Sequence, residues 1–281
     1  MMRNRAGFSL PEVLIATAIT VGIGAVIFQL FYRNERVFRD QAVILEMQQT
    51  ARMVVSQVAD DVRLAGQGIP LDLDDILLPG SGSTRLNIRM GFSATETPVD
   101  SPVPFSVVIG DTITVSVEST SGFLAGRQAF LWNEEGWVRS RIDSVSTLSK
   151  TIRMTPSAAS ESPVQFTAPP AVSLDEAVAI YWDASANVVK RTSATSTENP
   201  ASPAWAPANE LATNVIAMTI SYYDVSGNSL ANIVAQQSSV AAIEANITVR
   251  ASSPLSGGSR PVYSLSIRSV PRNVWIKNFR N

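Results

Sequence analysis

The sequence predicts an α+β protein: one long N-terminal helix, transmembrane and then amphipathic, followed by a strand-rich globular head. Three observations carry that prediction. Val13 to Tyr32 is a run of 20 residues without a charged side chain. The polar stretch beyond it keeps a buried stripe at helical spacing. From Leu71 onward, helix-period runs give way to short β-branched and aromatic runs.

Composition narrows the function before any motif is read. The chain has 281 residues, 45% hydrophobic and 16% charged, which is enough to fill one large core or two small ones and is not the composition of a disordered protein. It contains no cysteine and no histidine, so disulfides, thiolate nucleophiles, thiol or imidazole metal sites and histidine bases are all excluded. The formal net charge of -2 offers no electrostatic footprint for nucleic acid. Between Asp72 and Glu244 there are 18 acidic against 9 basic residues. After Glu244 come Arg250, Arg260, Arg268, Arg272, Lys277 and Arg280 with no acid, which reads first as a solvated basic face and second as a docking edge.

The first element is the N-terminal helix. Twenty apolar residues at 1.5 Å each cover about 30 Å, the thickness of a bilayer's hydrocarbon. A cleaved secretory signal would need a shorter apolar region; cutting after Ala16-Thr-Ala18 would leave only Phe8 to Ile15, interrupted by Pro11 and Glu12. Ser9 and Pro11 suit a helix start, and Glu12 there favours the positive end of the helix dipole. A carboxylate at the edge of a membrane helix is costly, and it is retained mainly where it has a partner or a task. Gly22 and Gly24 lie inside the run. Close helix packing accounts for them.

Gly7-Phe8-Ser9-Leu10-Pro11-Glu12-Val13-Leu14-Ile15-Ala16 resembles the class III leader and first helical turns of type IV prepilins. The resemblance implies that prepilin peptidase, a membrane aspartyl enzyme, cuts on the cytoplasmic side between Gly7 and Phe8 and N-methylates Phe8. It implies an assembly role for Glu12, paired with the Phe8 amine of a neighbouring subunit, and, as the alternative to close packing, a segment around Gly22 and Gly24 that loosens during filament assembly. It further implies a single pass of the inner membrane with the N-terminus cytoplasmic and the head periplasmic, before transfer to a pilus at the cell surface. The implied partners are other minor and major pilins and the inner-membrane assembly platform, with no cofactor.

Beyond Tyr32 the helix continues, with apolar residues at Ile44, Met47, Ala51, Val54, Val58, Val62 and Ala65, in steps of three and four. Glu46, Gln49, Arg52, Asp60 and Arg63 occupy the wetter positions. Phe8 to Ala65 then forms one helix about 87 Å long. Arg33, Arg36 and Arg39 are balanced by Glu35 and Asp40, so charge counting leaves the orientation open. The expected organisation is a leader over 1–7, a transmembrane or filament-core helix over 8–32, an amphipathic helix over 33–66 and the head over 67–281. The break at Gly66-Gln-Gly68-Ile-Pro70 ends the helix.

In the head, strands are expected at Arg85–Met90, Thr112–Glu118, Ala129–Asn133, Trp137–Asp143, Thr151–Met154, Ala177–Trp182, Val188–Arg191, Val215–Tyr223, Ile243–Arg250 and Val262–Val270. Asp224-Val-Ser-Gly227-Asn228 reads as a turn. Ser93–Pro104, Pro156–Ser173, Thr192–Asn209 and Ala251–Pro261 read as exposed loops where partner contacts belong. The long helix, the broad strand-rich head, Tyr222-Tyr223-Asp224 before a turn and Arg268-Ser-Val-Pro-Arg272-Asn together resemble PilW-type minor pilins. The J-type pseudopilins of type II secretion share the outline. A major pilin fits less well, because a chain without cysteine cannot make the C-terminal disulfide loop common there.

Other chemistry is thin. Leu71-Asp72-Leu73-Asp74-Asp75 supplies oxygen ligands but lacks EF-hand spacing. Asn246-Ile-Thr248 matches a glycosylation acceptor inside an expected strand and is read as structural. Neither a nucleophile elbow nor a phosphate-binding glycine loop occurs, so the chain is not read as an enzyme. Trp132, Trp137, Trp182, Trp205 and Trp275 are assigned mainly to packing, with stacking of sugars or bases at a fibre tip as the alternative use.

Overall fold

The computed structural model describes residues 10–70, 73, 76–199, 201–231, 233, 236 and 239–271. A single α-helix, α1 (Leu10–Leu64), leads into strands β1 (Arg85–Arg89), β2 (Glu96–Pro98), β3 (Phe105–Val107), β4 (Ile113–Ser116), β5 (Gln128–Trp132), β6 (Trp137–Ser146), β7 (Thr151–Ala159) and β8 (Val164–Phe166). There follow β9 (Ala171–Leu174), β10 (Ala177–Asp183), β11 (Val188–Ser196), β12 (Ala204–Trp205), β13 (Asn209–Ala212), β14 (Val215–Tyr223), β15 (Ala242–Arg250) and β16 (Val262–Ser269). The expected order of helix then strand-rich head is what the structure has.

The second half of α1 is buried along the stripe that its sequence spells out. Met47, Ala51, Val54, Val58, Val62 and Ala65 are all buried, whereas Glu46, Gln49, Arg52, Asp60 and Arg63 face solvent. That stripe packs on β15 and β16 of the antiparallel sheet β14-β15-β16 and shares one core with β1, β10 and β11 of a neighbouring antiparallel sheet. Inside this contact lies a charge that periodicity did not reveal. Asp61, buried on α1, accepts from Nε of Arg191 on β11 at 2.8 Å and from its Nη2 at 3.1 Å, with Gln57 donating at 3.1 Å.

A second core lies in the chain between β1 and β10. Strands β2-β9-β5-β6-β7-β4 form an antiparallel sheet in that order. Its ends meet: Val99 bridges Val117, the Asp100 amide donates to the Ser116 carbonyl at 2.8 Å, and Glu118 donates to Pro98 at 3.2 Å. The result is a closed six-stranded barrel, with the β3-β8 ladder contributing Val107, Val164 and Phe166 to its interior. Closure leaves no strand edge to aggregate. Because Arg89 and Ala177 are paired neighbours in the β1-β10 ladder, the barrel is an insertion into one hairpin of the helix-bearing body.

All ten expected strands are present, within a few residues at their ends. Three of the four expected exposed loops are corrected. Ser93–Pro104 contains β2; Pro156–Ser173 contains the end of β7 with β8 and the start of β9; Thr192–Asn209 contains the end of β11 with β12. These pieces are too short and too rich in serine and proline for a local signal. Barrel closure and neighbouring strands supply their partners, and Val164, Phe166 and Val172 are fully buried. The helix ends as expected: Gly66 and Gly68 take positive φ values of 83° and 68°, which favour glycine. Gly91 approaches so closely that a Cβ there would stand 3.0 Å from the Gln67 carbonyl oxygen.

Barrel and body are joined at Asp175, where the chain leaves β9 for β10. Arg89 Nε of the body lies 3.0 Å from one carboxylate oxygen, and Arg139 Nε of the barrel lies 2.7 Å from the other. Arg139 also donates to the Thr197 carbonyl, while Glu176 next door holds Arg127 at 3.2 Å and accepts from the amide and hydroxyl of Ser93. Beside them Phe130 and Trp137 meet edge to face and pack on Ile69 and Leu73, just past the helix end. Asp175→Ala leaves two buried guanidinium groups without their carboxylate. It is expected to destabilise the head by about 3–5 kcal/mol, whereas Asp60→Ala, which breaks only an exposed pair with Arg63, costs less than about 1 kcal/mol. Urea unfolding of the full chain in detergent, followed by tryptophan fluorescence, measures both.

Candidate functional site

A helix that is apolar around its whole circumference has no face suited to water, so its natural surroundings are lipid or other protein. The first half of α1 is such a helix. Leu10 and Phe28 are each 76% exposed and Phe31 is 71% exposed, and the apolar stretch is not buried anywhere against the head. Among the described residues this is the one helix long and apolar enough to cross a membrane. Its two threonine hydroxyls are answered within the helix. The Thr17 hydroxyl donates to the carbonyls of Val13 and Leu14, both at 2.9 Å, and that of Thr20 donates to Ala16 at 2.8 Å.

Glu12 lies in the first turn of α1, on the exposed surface of this apolar segment. Gly7 and Phe8, the expected cleavage and methylation positions, lie outside the described residues, as does Ser9. The helix runs unbroken through Gly22 and Gly24. Among the described residues nothing outside the helix's own adjoining turns lies within 4 Å of where a Cβ would stand at either, so both positions are open to contact from outside.

At the polar end the guanidinium of Arg36 stacks 4.4 Å from the Tyr32 ring centroid and donates to its hydroxyl at 3.1 Å. The first tie between helix and head follows at Asp40. Its carboxylate accepts from the Ser256 amide at 2.8 Å and from the Ser256 hydroxyl at 2.6 Å, and Ser252 reaches Glu46 at 3.1 Å. Ala251–Pro261 was expected to be a free loop for partners. Its side chains are largely exposed, but it is strapped along α1 by these two acids, a pairing across more than 200 residues that no local pattern marks.

In the head, the two short sequences behind the looser resemblance meet in space. Tyr222 is buried and its hydroxyl donates to the Gly82 carbonyl at 3.2 Å, and desolvation raises its pKa. Tyr223 faces outward with the Arg268 guanidinium 4.1 Å from its ring centroid, and the hydrogen bond with Glu244 together with burial raises its pKa. Asp224 closes the expected turn by accepting from Asn228 at 2.7 Å, which lowers its pKa. Arg272 lies outside the described residues.

Among the described residues no cluster of three acidic side chains could hold a metal, and Asp72, Asp74 and Asp75 lie outside them. A cleft of about 300 Å³ between α1 and β13 is lined by Thr50, Met53, Leu211, Ala212 and Thr213, with Glu210 as its single ionisable group. Trp132 donates to Ser173 at 2.9 Å and Trp182 to the Val215 carbonyl at 2.8 Å, while Trp205 packs on Leu78 and Ala194. These three tryptophans, with Trp137 against Phe130, serve packing; Trp275 lies outside the described residues. Comparison with models of known protein families and with curated proteins finds no match to the chain.

The Asp40 strap predicts a titration. Hydrogen bonds from Ser256 hold the Asp40 pKa below its ordinary value of 3.8. Because the folded pKa is lowered, the strap is at full strength above the unfolded pKa and is lost as pH falls through the folded one. The Ser256 amide resonance is expected to shift with a midpoint below 3.8, and to show no such titration in Asp40→Asn.

Proposed function

We propose that this chain is a minor pilin of the PilW kind, a structural subunit that helps to assemble and initiate a type IV pilus. The observation that carries the reading is the exposed apolar half of α1, bearing the Glu12 carboxylate in its first turn and continuing without a break into a half with one stripe buried against the head. A membrane anchor alone would not need the acid. The prepilin-like leader around Gly7 and Phe8 supports the same conclusion from sequence.

The mechanism is mechanical. Prepilin peptidase cuts after Gly7, on the cytoplasmic face of the inner membrane, and methylates Phe8. The assembly platform then draws the helix from lipid into a bundle of pilin helices. Both surroundings are apolar, so the transfer leaves the helix's many exposed aliphatic side chains equally well accommodated. Glu12 is the exception. Buried in the bundle it needs a cation, and the Phe8 amine of a neighbour fixes the axial register while offsetting its desolvation. The periplasmic head carries the contacts to other pilins. A type II secretion pseudopilin would work by the same mechanics, and the components recovered with the protein separate the two.

Processing and assembly are tested together. Mass spectrometry of the mature protein is expected to find N-methylated Phe8 at the N-terminus; an intact Met1, or a start after Ala18, contradicts the prepilin reading. Glu12→Leu is expected to be made, cleaved and held in the membrane at wild-type levels but recovered poorly from sheared fibres. A mere helix cap would cost about 1 kcal/mol of local stability and leave incorporation unchanged.

A further inference from the structure

We propose that the β15-β16 hairpin tip and the first polar turns of α1 form a collar that seats the head on anionic phospholipid headgroups. The proposal rests on the reading that Val13–Tyr32 spans a bilayer. The tip runs down the helix: Ser252 is held at Glu46 and Ser256 at Asp40, six positions nearer the apolar end, a descent of about 9 Å. It is a shaped turn, with the Leu255 amide donating to the Ser259 carbonyl and the Gly258 amide to the Leu255 carbonyl, both at 2.8 Å.

Asp40 stands eight positions past Tyr32, about 12 Å beyond the hydrocarbon edge. Headgroups fill the first 5–7 Å or so of that gap, which leaves the tip within about one Debye length, ~8 Å, of the lipid surface. The side chains facing this layer suit it. Tyr32 and Arg36 form a stacked aromatic-cation pair at the boundary, Phe38 is 69% exposed between Arg36 and Arg39, and Arg33 and Arg260 are exposed. Arg33, Arg36, Arg39 and Arg260 thus outnumber the three acids Glu35, Asp40 and Glu46, of which Asp40 is turned toward Ser256 and Glu46 toward Ser252. The net positive charge and the exposed rings complement a negatively charged headgroup layer. The Asp40 strap sets the height at which the tip meets it.

The test uses the full chain, whose lack of cysteine makes Ser253→Cys a unique labelling site. The labelled protein is placed in vesicles of phosphatidylcholine, with or without phosphatidylglycerol, that carry a quencher on the headgroup. Quenching is expected to rise with phosphatidylglycerol and to fall in high salt. In Arg260→Gln the ratio of docked to undocked heads should drop about fivefold, the factor that one arginine near an anionic surface contributes. Arg141→Gln, on the barrel, should leave it unchanged. Equal quenching in both lipid compositions, in protein that resists alkaline extraction, overturns the collar and leaves the span intact. Quenching that grows with protein density at fixed lipid composition assigns the surface to another subunit and also overturns it. A chain extracted by alkali fails the spanning reading itself.

Discussion

One helix has to satisfy two surroundings, and the rest of the structure follows from how α1 changes from one to the other. Up to Tyr32 it is apolar on every side; from Met47 it is apolar on one stripe only. The turns between, rich in arginine and acid, belong wholly to neither. The head is built on the stripe. Sheet β14-β15-β16 lies against it, the hairpin between β15 and β16 is strapped to it at Asp40 and Glu46, and the neighbouring sheet reaches it through the buried pair of Asp61 and Arg191. The apolar segment and the head-bearing stripe thus belong to one helix that runs unbroken from Leu10 to Leu64.

The barrel is a second module on that body. It begins and ends at paired positions of the β1-β10 ladder, so it could be accommodated without altering the order of the strands that carry the helix. What ties it down is mostly buried charge: Asp175 between Arg89 and Arg139, and Glu176 between Arg127 and Ser93. Buried ion pairs of this kind add little net stability compared with well-packed apolar groups, yet they are severe against a wrong arrangement, since each misplaced partner leaves a buried charge uncompensated. The junction therefore specifies one orientation of barrel on body.

Much of this was legible from residues alone. The stripe from Met47 to Ala65 was readable because helical periodicity is a local signal, and Val215–Tyr223 was found to the residue because a β-branched and aromatic run ends at a turn with Asp224, Gly227 and Asn228. What escaped depends on distant partners. The strand Val164–Phe166 has three residues and acquires its meaning only when Phe105–Val107 lies beside it. Asp61 looks like any other acid on a helix until Arg191, 130 residues away, is brought onto it, and Asp175 until Arg89 and Arg139 converge. Gly7 and Phe8, the proposed cleavage and methylation positions, are the reverse case: their pattern is plain in sequence and they lie outside the described residues.

The central claim is that the apolar half of α1 passes from lipid into a helix bundle made of other subunits. Photoreactive side chains placed singly at Ile15, Val21, Ile23 and Phe31, which are all exposed and are spread around the circumference of the segment, test it most directly. In membranes each position should label lipid, and in sheared fibres each should label the N-terminal helix of another subunit. Labelling confined to one side of the helix, or directed to this chain's own head in both preparations, would contradict the account.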